Sequence, residues 1–455
     1  MAVTTSLPVH TDREKAGPPA VADQEKTGLG NYFIANYPSF SYWKAENLSA
    51  AEAALDSSPM GGTPLGLYLH IPFCRKRCKF CYFRVYTDKN AKDIEVYLDA
   101  LLKEVELLAA RPVVGDRPFH FIYFGGGTPS YLSAAQLRGL MTRLKAIRPW
   151  DEAEEVTFEC EPGTLQQHKL EALREMGVTR LSLGVENFKP SILQYNGRAH
   201  LEDEIYRAYG WARDLGFPQI NLDLIAGMVG EDWDNWRDCV RKTIAMAPDS
   251  VTIYQMELPY NTVFSQELKG GDEPSLVIAD WPTKRAWVDY AYAEFEKVGY
   301  TVTSATTVVR DQAATKFVYR DALWRGADMF GTGVASFGHI NGVHVQNVDT
   351  WEQYIEKLNR NELPLGRALP VSPRDRLVRE VVLLMKTGRL DADYFQAKFG
   401  ADILTEFAAG FAKLEADGLL TMTPTGVDVN RAGLLQIDRH LPTLFDPQFR
   451  GPRYA

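Results

Sequence analysis

Three cysteines, Cys74, Cys78 and Cys81, stand at C-x3-C-x2-C spacing in a loop that follows the run Tyr-Leu-His-Ile-Pro-Phe starting at Tyr68. Three thiolates on so short a loop can hold three irons of a [4Fe-4S] cluster, whereas full cysteine ligation of such a cluster takes four. The fourth iron is then open to another ligand. The basic residues Arg75, Lys76, Arg77, Lys79 and Arg84 crowd the loop. They could offset the charge of thiolate-bound iron or dock an acidic electron donor, and a solvated basic loop is the plainer alternative. His70 with the three cysteines also composes a Cys3His zinc set, so spacing alone leaves zinc open. A disulfide framework fits less well, because five cysteines is an odd count and the N-terminus has no apolar signal core. Cys160 and Cys239 read as small buried apolar residues.

Such a loop needs a scaffold. From Leu65 onward, short apolar or β-branched runs at 67–71, 119–124, 155–159, 180–185, 219–225 and 250–255 alternate with helical patterns at 93–110, 134–147, 166–176, 203–215, 233–245 and 282–297. That alternation predicts repeated βα units and a parallel sheet. Six units predict an α/β fold built on an open, partial (β/α)6 barrel, with function at the carboxyl ends of the strands.

Residues able to bind a ligand fall at those ends. Gly125, Gly126, Gly127 and Thr128 follow the second strand, where backbone without side chains lets a ligand approach amide groups closely. Glu159 ends the third strand, and Glu161 follows it as a weaker candidate. Glu186 and Arg198 follow the fourth, the guanidinium being suited to a two-point contact with a carboxylate or to an ion pair with a nearby acid. Asp223 sits within an apolar fifth strand, where a charge is costly unless paired or liganded. Met256 follows the sixth strand.

In this order the motifs Tyr-x-His-Ile-Pro-Phe-Cys, Phe-Gly-Gly-Gly-Thr-Pro, Leu-Gly-Val-Glu-x-Phe, Gly-Arg-x-His, Asp-Leu-Ile-x-Gly and Gly331-Thr-Gly-Val-Ala-Ser336 resemble the radical S-adenosylmethionine (SAM) superfamily. Within it they resemble the branch of oxygen-independent coproporphyrinogen III oxidases, heme chaperones and class C methyltransferases, from about Tyr32 to Phe445. The resemblance implies a [4Fe-4S] cluster on Cys74, Cys78 and Cys81 that cleaves SAM reductively to a 5'-deoxyadenosyl radical, and two SAM molecules in one cavity. Tyr68, Gly125, Glu159 and Phe337 match positions at the cluster-bound SAM. Gly126, Thr128, Arg198, Asp223 and Met256 match the second site, where Glu186 replaces a family glutamine. A reducing partner such as flavodoxin or ferredoxin is implied too.

The chain departs from the oxidases after Cys81, where Tyr82-Phe83 replaces Gly-Cys. On that ground the expectation is C-methylation of an sp2 carbon in an aromatic, quinone or tetrapyrrole substrate. The alternatives are oxidative decarboxylation of coproporphyrinogen propionates and heme carriage.

The expected organisation is a flexible tail at 1–28, an aromatic-rich lead-in over the site at 29–64, the barrel at 65–300, an accessory sheet at 301–369, a winged-helix-like unit at 370–445 and a tail at 446–455. A formal net charge of −9 and the lack of clustered Lys and Arg in that last unit argue against nucleic acid. No run approaches the ~20 apolar residues of a membrane span, so the expectation is a cytoplasmic protein.

Overall fold

The computed structural model describes residues 25–30, 32–270 and 278–450. At its centre lie β1 (Leu65–Ile71), β2 (Phe119–Gly126), β3 (Glu155–Cys160), β4 (Arg180–Glu186), β5 (Gln219–Ala226) and β6 (Ser250–Gln255). They pair in parallel and in chain order. Helices Ala91–Ala109, Ala134–Ile147, Gln167–Glu175, Glu202–Asp214 and Trp233–Met246 make the crossovers, and Trp281–Lys297 follows β6. Two crossover helices start at reciprocal caps, Asn90 with Asp93 and Ser133 with Gln136.

Parallel strands covered on both faces read as nearly continuous apolar runs. The exceptions here are informative. Apart from His120 and Gln219 near strand starts, the positions in β1 to β6 that are not buried are Tyr68, Gly126, Glu159, Gly184, Glu186, Asp223, Tyr254 and Gln255. These lie in the middle or at the carboxyl end of their strands.

The sheet stays open and reaches twelve strands. β7 (Thr301–Ser304) and β8 (Thr307–Val309) extend the β6 edge. β9 (Asp328–Thr332) pairs in parallel with β1, and β10 (Phe337–Ile340), β11 (Val343–Asn347) and β12 (Leu365–Pro370) continue beyond it in antiparallel fashion. The expected single accessory sheet at 301–369 is thus divided between opposite edges. The chain passes from one edge to the other through helix Val318–Trp324.

The C-terminal unit has an apolar core that Ile34, Tyr37 and Ala305 join, and a three-stranded antiparallel sheet of β13 (Arg389–Asp391), β14 (Leu420–Thr423) and β15 (Gly426–Val429). The helical pattern over 402–417 is two helices, Ile403–Glu406 and Ala408–Ala416, because buried Phe407 between them leaves the helical torsions.

Described residues of both expected tails make contacts with the rest of the chain. The Glu25 carbonyl accepts from Trp281 N at 2.9 Å, and Thr27 Oγ1 donates to the Ala279 carbonyl at 2.7 Å. At the other end, Tyr42 Oη donates to the Gln448 carbonyl at 3.0 Å. Phe449 meets the rings of Tyr37 and Tyr42. Residues 1–24 and 451–455 of those tails lie outside the described residues. No described helix is long and apolar enough to cross a membrane.

Candidate active site

A cavity of about 590 Å³ opens at the carboxyl ends of the strands. It is lined by Cys78 and Cys81, by the turn Gly126-Gly127-Thr128, and by Glu159, Glu186, Arg198, Asp223 and Met256. The interior positions Gly184, Tyr254 and Gln255 line it as well. Parallel pairing sets the layout: Glu159 lies beside Ser182, and Gly184, Asp223 and Thr252 lie side by side across three strands.

The thiols share one loop. Cys81 N donates to the Cys78 carbonyl at 3.1 Å. Cys74 is buried behind the lining, and its sulfur accepts from Thr128 Oγ1 at 3.3 Å. Arg198 Nη1 donates to Cys78 Sγ at 3.3 Å. Burial pushes the Cys74 thiol up to about 11 and the Cys81 thiol up to about 12, with Cys78 adding to both shifts. The three sulfurs therefore feel one another. Yet among the described residues no three His, Cys, Asp or Glu side chains converge on one ion.

Three thiols on one loop supply the donors of three irons of a [4Fe-4S] cluster. His70 is engaged elsewhere. Its Nδ1 pairs with Tyr68 Oη at 3.3 Å, and burial lowers its basicity to about 4. The donor set, with a guanidinium on one sulfur, fits an iron–sulfur cluster.

The carboxylates differ in how they are held. Glu159 accepts from Tyr123 Oη at 2.7 Å and from Gly126 N at 3.2 Å. Burial still raises it to about 7, with Asp223 adding to the shift. Glu186 has φ +63° and meets Arg198 at 3.7 Å; burial raises it to about 7 as well. Asp223 accepts from Ser182 Oγ and Asn221 Nδ2, both at 2.9 Å. Arg198 also donates to the Gly184 carbonyl at 2.5 Å. Burial works against its charge, but Cys78, Glu186 and Glu161 outweigh this and hold it above its ordinary value. Glu161 pairs with buried His200 at 2.9 Å and caps Gly163 N, which is a structural role.

Tyr68, Gly125 and Phe337 do not line the cavity. Tyr68 stacks on Tyr123 and tilts against Tyr319, which does line it. A Cβ at Gly125 would lie 3.1 Å from the Glu159 carboxyl, so this glycine lets that carboxylate approach the turn. Phe337 departs from the expectation. Its ring packs on Phe40 at 4.2 Å and Trp43 at 5.5 Å, because β10 turns it toward the lead-in.

The lead-in divides. Tyr32 and Phe33 line the cavity, whereas Trp43 stacks on His344. Sequence reading missed Trp281, Arg285, Tyr319 and the segment 434–439, all on the cavity wall. Only the tertiary fold brings them there, and no local spacing signals them.

The fold and the cysteine loop define a radical SAM protein. The Radical SAM superfamily profile matches residues 68–243, and the HemN C-terminal domain profile matches 371–435. An oxygen-independent coproporphyrinogen III oxidase of Synechocystis sp. is 28% identical over 405 residues, covering 84% of this chain and 85% of the relative. Heme chaperone HemW of Bacillus subtilis is 26% identical over 370 residues, covering 81% and 96%. The solved structure of coproporphyrinogen III oxidase (HemN) from Escherichia coli superposes with TM-score 0.78 at 24% identity, covering 91% of this chain and 97% of that one.

The chain carries a radical SAM domain joined to a HemN-type C-terminal domain and is similar over more than four-fifths of its length to coproporphyrinogen III oxidases and to a heme chaperone. Its cofactors are a [4Fe-4S] cluster and SAM.

Proposed function

We propose that this protein is an oxidase-type radical SAM enzyme that removes carboxyl groups from the propionate side chains of a tetrapyrrole. The observation that carries this reading is the joint likeness, over more than four-fifths of the chain, to relatives named as coproporphyrinogen III oxidases, together with a cavity in the usual size range of ligand sites.

Cys74, Cys78 and Cys81 would hold the cluster, and Arg198 would offset the charge on Cys78. Glu159 would border a first SAM, with Tyr68 and Gly125 behind it: Gly125 leaves room for the Glu159 carboxylate and Tyr68 stacks on the Tyr123 that holds it. Gly126, Gly127, Thr128, Glu186, Arg198, Asp223 and Met256 would border a second. When bound, cluster and SAM supply one-electron reductive cleavage of a carbon–sulfur bond. The protein's part is to bind, orient and exclude water. Glu159 and Glu186, raised by burial to about 7, would be drawn back to the ionised form by a sulfonium or ammonium group brought beside them. The turn at Gly126 and the Tyr123 hydroxyl hold Glu159 in place.

One observation favours methyl transfer as a second reading. Tyr82 and Phe83, in place of Gly-Cys, line the cavity with ring centroids 4.5 Å apart and are 41% and 43% exposed. They offer a platform for a flat substrate. Anaerobic incubation of the reconstituted protein with SAM, reductant and coproporphyrinogen III separates the readings. Carbon dioxide released in step with 5'-deoxyadenosine supports the oxidase. S-adenosylhomocysteine without carbon dioxide supports methyl transfer, and tight heme retention without either product supports carriage.

A further inference from the structure

The cavity wall contributed by helix Trp281–Lys297 and the C-terminal unit carries two guanidinium groups, Arg285 and Arg439. Both donate to one carboxylate. Arg285 Nη2 reaches Glu25 Oε2 at 2.5 Å, and Arg439 Nη1 reaches Glu25 Oε1 at 2.7 Å. The arginine side chains are 17% and 26% exposed and Glu25 is 36% exposed, so the cluster is partly screened from water. Burial works against the charge on Glu25, but hydrogen bonds from the two arginines outweigh it and hold the carboxyl below its ordinary range.

Asp438, the acid next to Arg439 in the chain, has partners of its own. It pairs with Lys386 at 2.5 Å and accepts from Ile34 N at 2.7 Å. Glu25 itself comes from the N-terminal segment and from neither wall. Two guanidinium groups, each donating one charge-assisted hydrogen bond to a different oxygen of one carboxylate, make a pincer suited to a carboxylate.

We propose that Arg285 and Arg439 form the receiving site for a carboxylate of the substrate, and that Glu25 holds this site as an internal stand-in which the substrate carboxylate displaces. The proposal rests on the reading of the substrate as a carboxylate-bearing tetrapyrrole, and it adds the residues that read that carboxylate. An internal competitor lowers apparent affinity by the fraction of molecules in which the site is open.

The test uses the full chain with its cluster reconstituted, calorimetry, and three probes: coproporphyrin III, its tetramethyl ester, and phthalate. Glu25→Gln is expected to bind coproporphyrin III roughly tenfold more tightly than the wild type, to gain phthalate binding, and to leave ester binding unchanged. Adding Arg285→Gln and Arg439→Gln removes both gains. If the glutamine pair fails to fold, Arg285→Lys with Arg439→Lys keeps the charge, removes the two guanidinium donors that reach Glu25, and must shrink the gain. Should phthalate respond while coproporphyrin III binds no variant, the arginine site stands and the tetrapyrrole reading falls. Should Glu25→Gln bind neither acid more tightly than the wild type, Glu25 is only a structural latch and the inference is overturned.

Discussion

Gly126→Ala perturbs the turn on which the site is built. Gly126 has φ +109°, and a Cβ there would lie 2.6 Å from Cε1 and Nδ1 of the His70 ring. His70 is buried and its Nδ1 is engaged with Tyr68, so the ring cannot step aside without breaking that contact. The left-handed backbone costs a residue with Cβ roughly 1–2 kcal/mol, and overpacking a filled interior adds about 1–3 kcal/mol. The expected loss is about 3 kcal/mol, a large part of a typical stability of roughly 5–15 kcal/mol. At about 2–4 °C per kcal/mol, the melting temperature falls on the order of 10 °C.

Gly139 gives the control. It lies exposed in helix Ala134–Ile147 with nothing within 4 Å of an added Cβ. Gly139→Ala should therefore stabilise by roughly 0.5–1 kcal/mol. Thermal melts and urea titrations of the three proteins read both shifts, and SAM binding should weaken in Gly126→Ala alone. Melting of Gly126→Ala within error of the wild type, or equal shifts at both glycines, would refute the argument from backbone and space.

Other outcomes follow from the buried polar groups. Glu104 accepts from Gly333 N at 2.8 Å and from Asn347 Nδ2 and Tyr354 Oη, both at 2.6 Å, clipping the Gly331–Ser336 turn to the helix beneath it. Glu104→Gln sets an amide donor against one of those donors, so urea titration should show a loss of about 2 kcal/mol. Burial first, and Arg379 after it, depress His344 to about 3. A depressed group contributes stability that is present above its unfolded value near 6.5 and lost as pH falls toward its folded value. For this histidine the loss is about 2 kcal/mol by pH 5. Buried carboxylates such as Glu231, raised by burial to about 8, act in the opposite sense, losing stability as pH rises from 4.5 through 8. The histidine contribution is therefore read as the difference in pH slope between wild type and His344→Gln, whose acid limb should be shallower.

Much of the barrel was legible because its signals are local. The apolar runs are strands on account of their length and β-branched content, and a two-faced parallel sheet leaves few polar positions. Glu159, Glu186 and Asp223 stood out as charges at strand ends or within apolar runs, and the structure places all three on the cavity. The direction of the Phe337 ring was not legible, because a match of motifs carries no information on which way a strand turns its side chain, and in β10 the ring meets Phe40. The division of 301–369 between two sheet edges was not legible either, since short strands with little periodicity do not name their partners. Glu25, Arg285 and Arg439 are far apart in the chain. Only folding makes them neighbours.

The central claim is that Cys74, Cys78 and Cys81 hold a cluster that cleaves SAM. Anaerobic reconstitution with iron and sulfide, followed by reduction, addition of SAM and assay of 5'-deoxyadenosine beside a Cys78→Ala control, tests it most directly. The account predicts product from the wild type and none from the variant. A protein that binds only zinc, or product formation indifferent to Cys78, would contradict it.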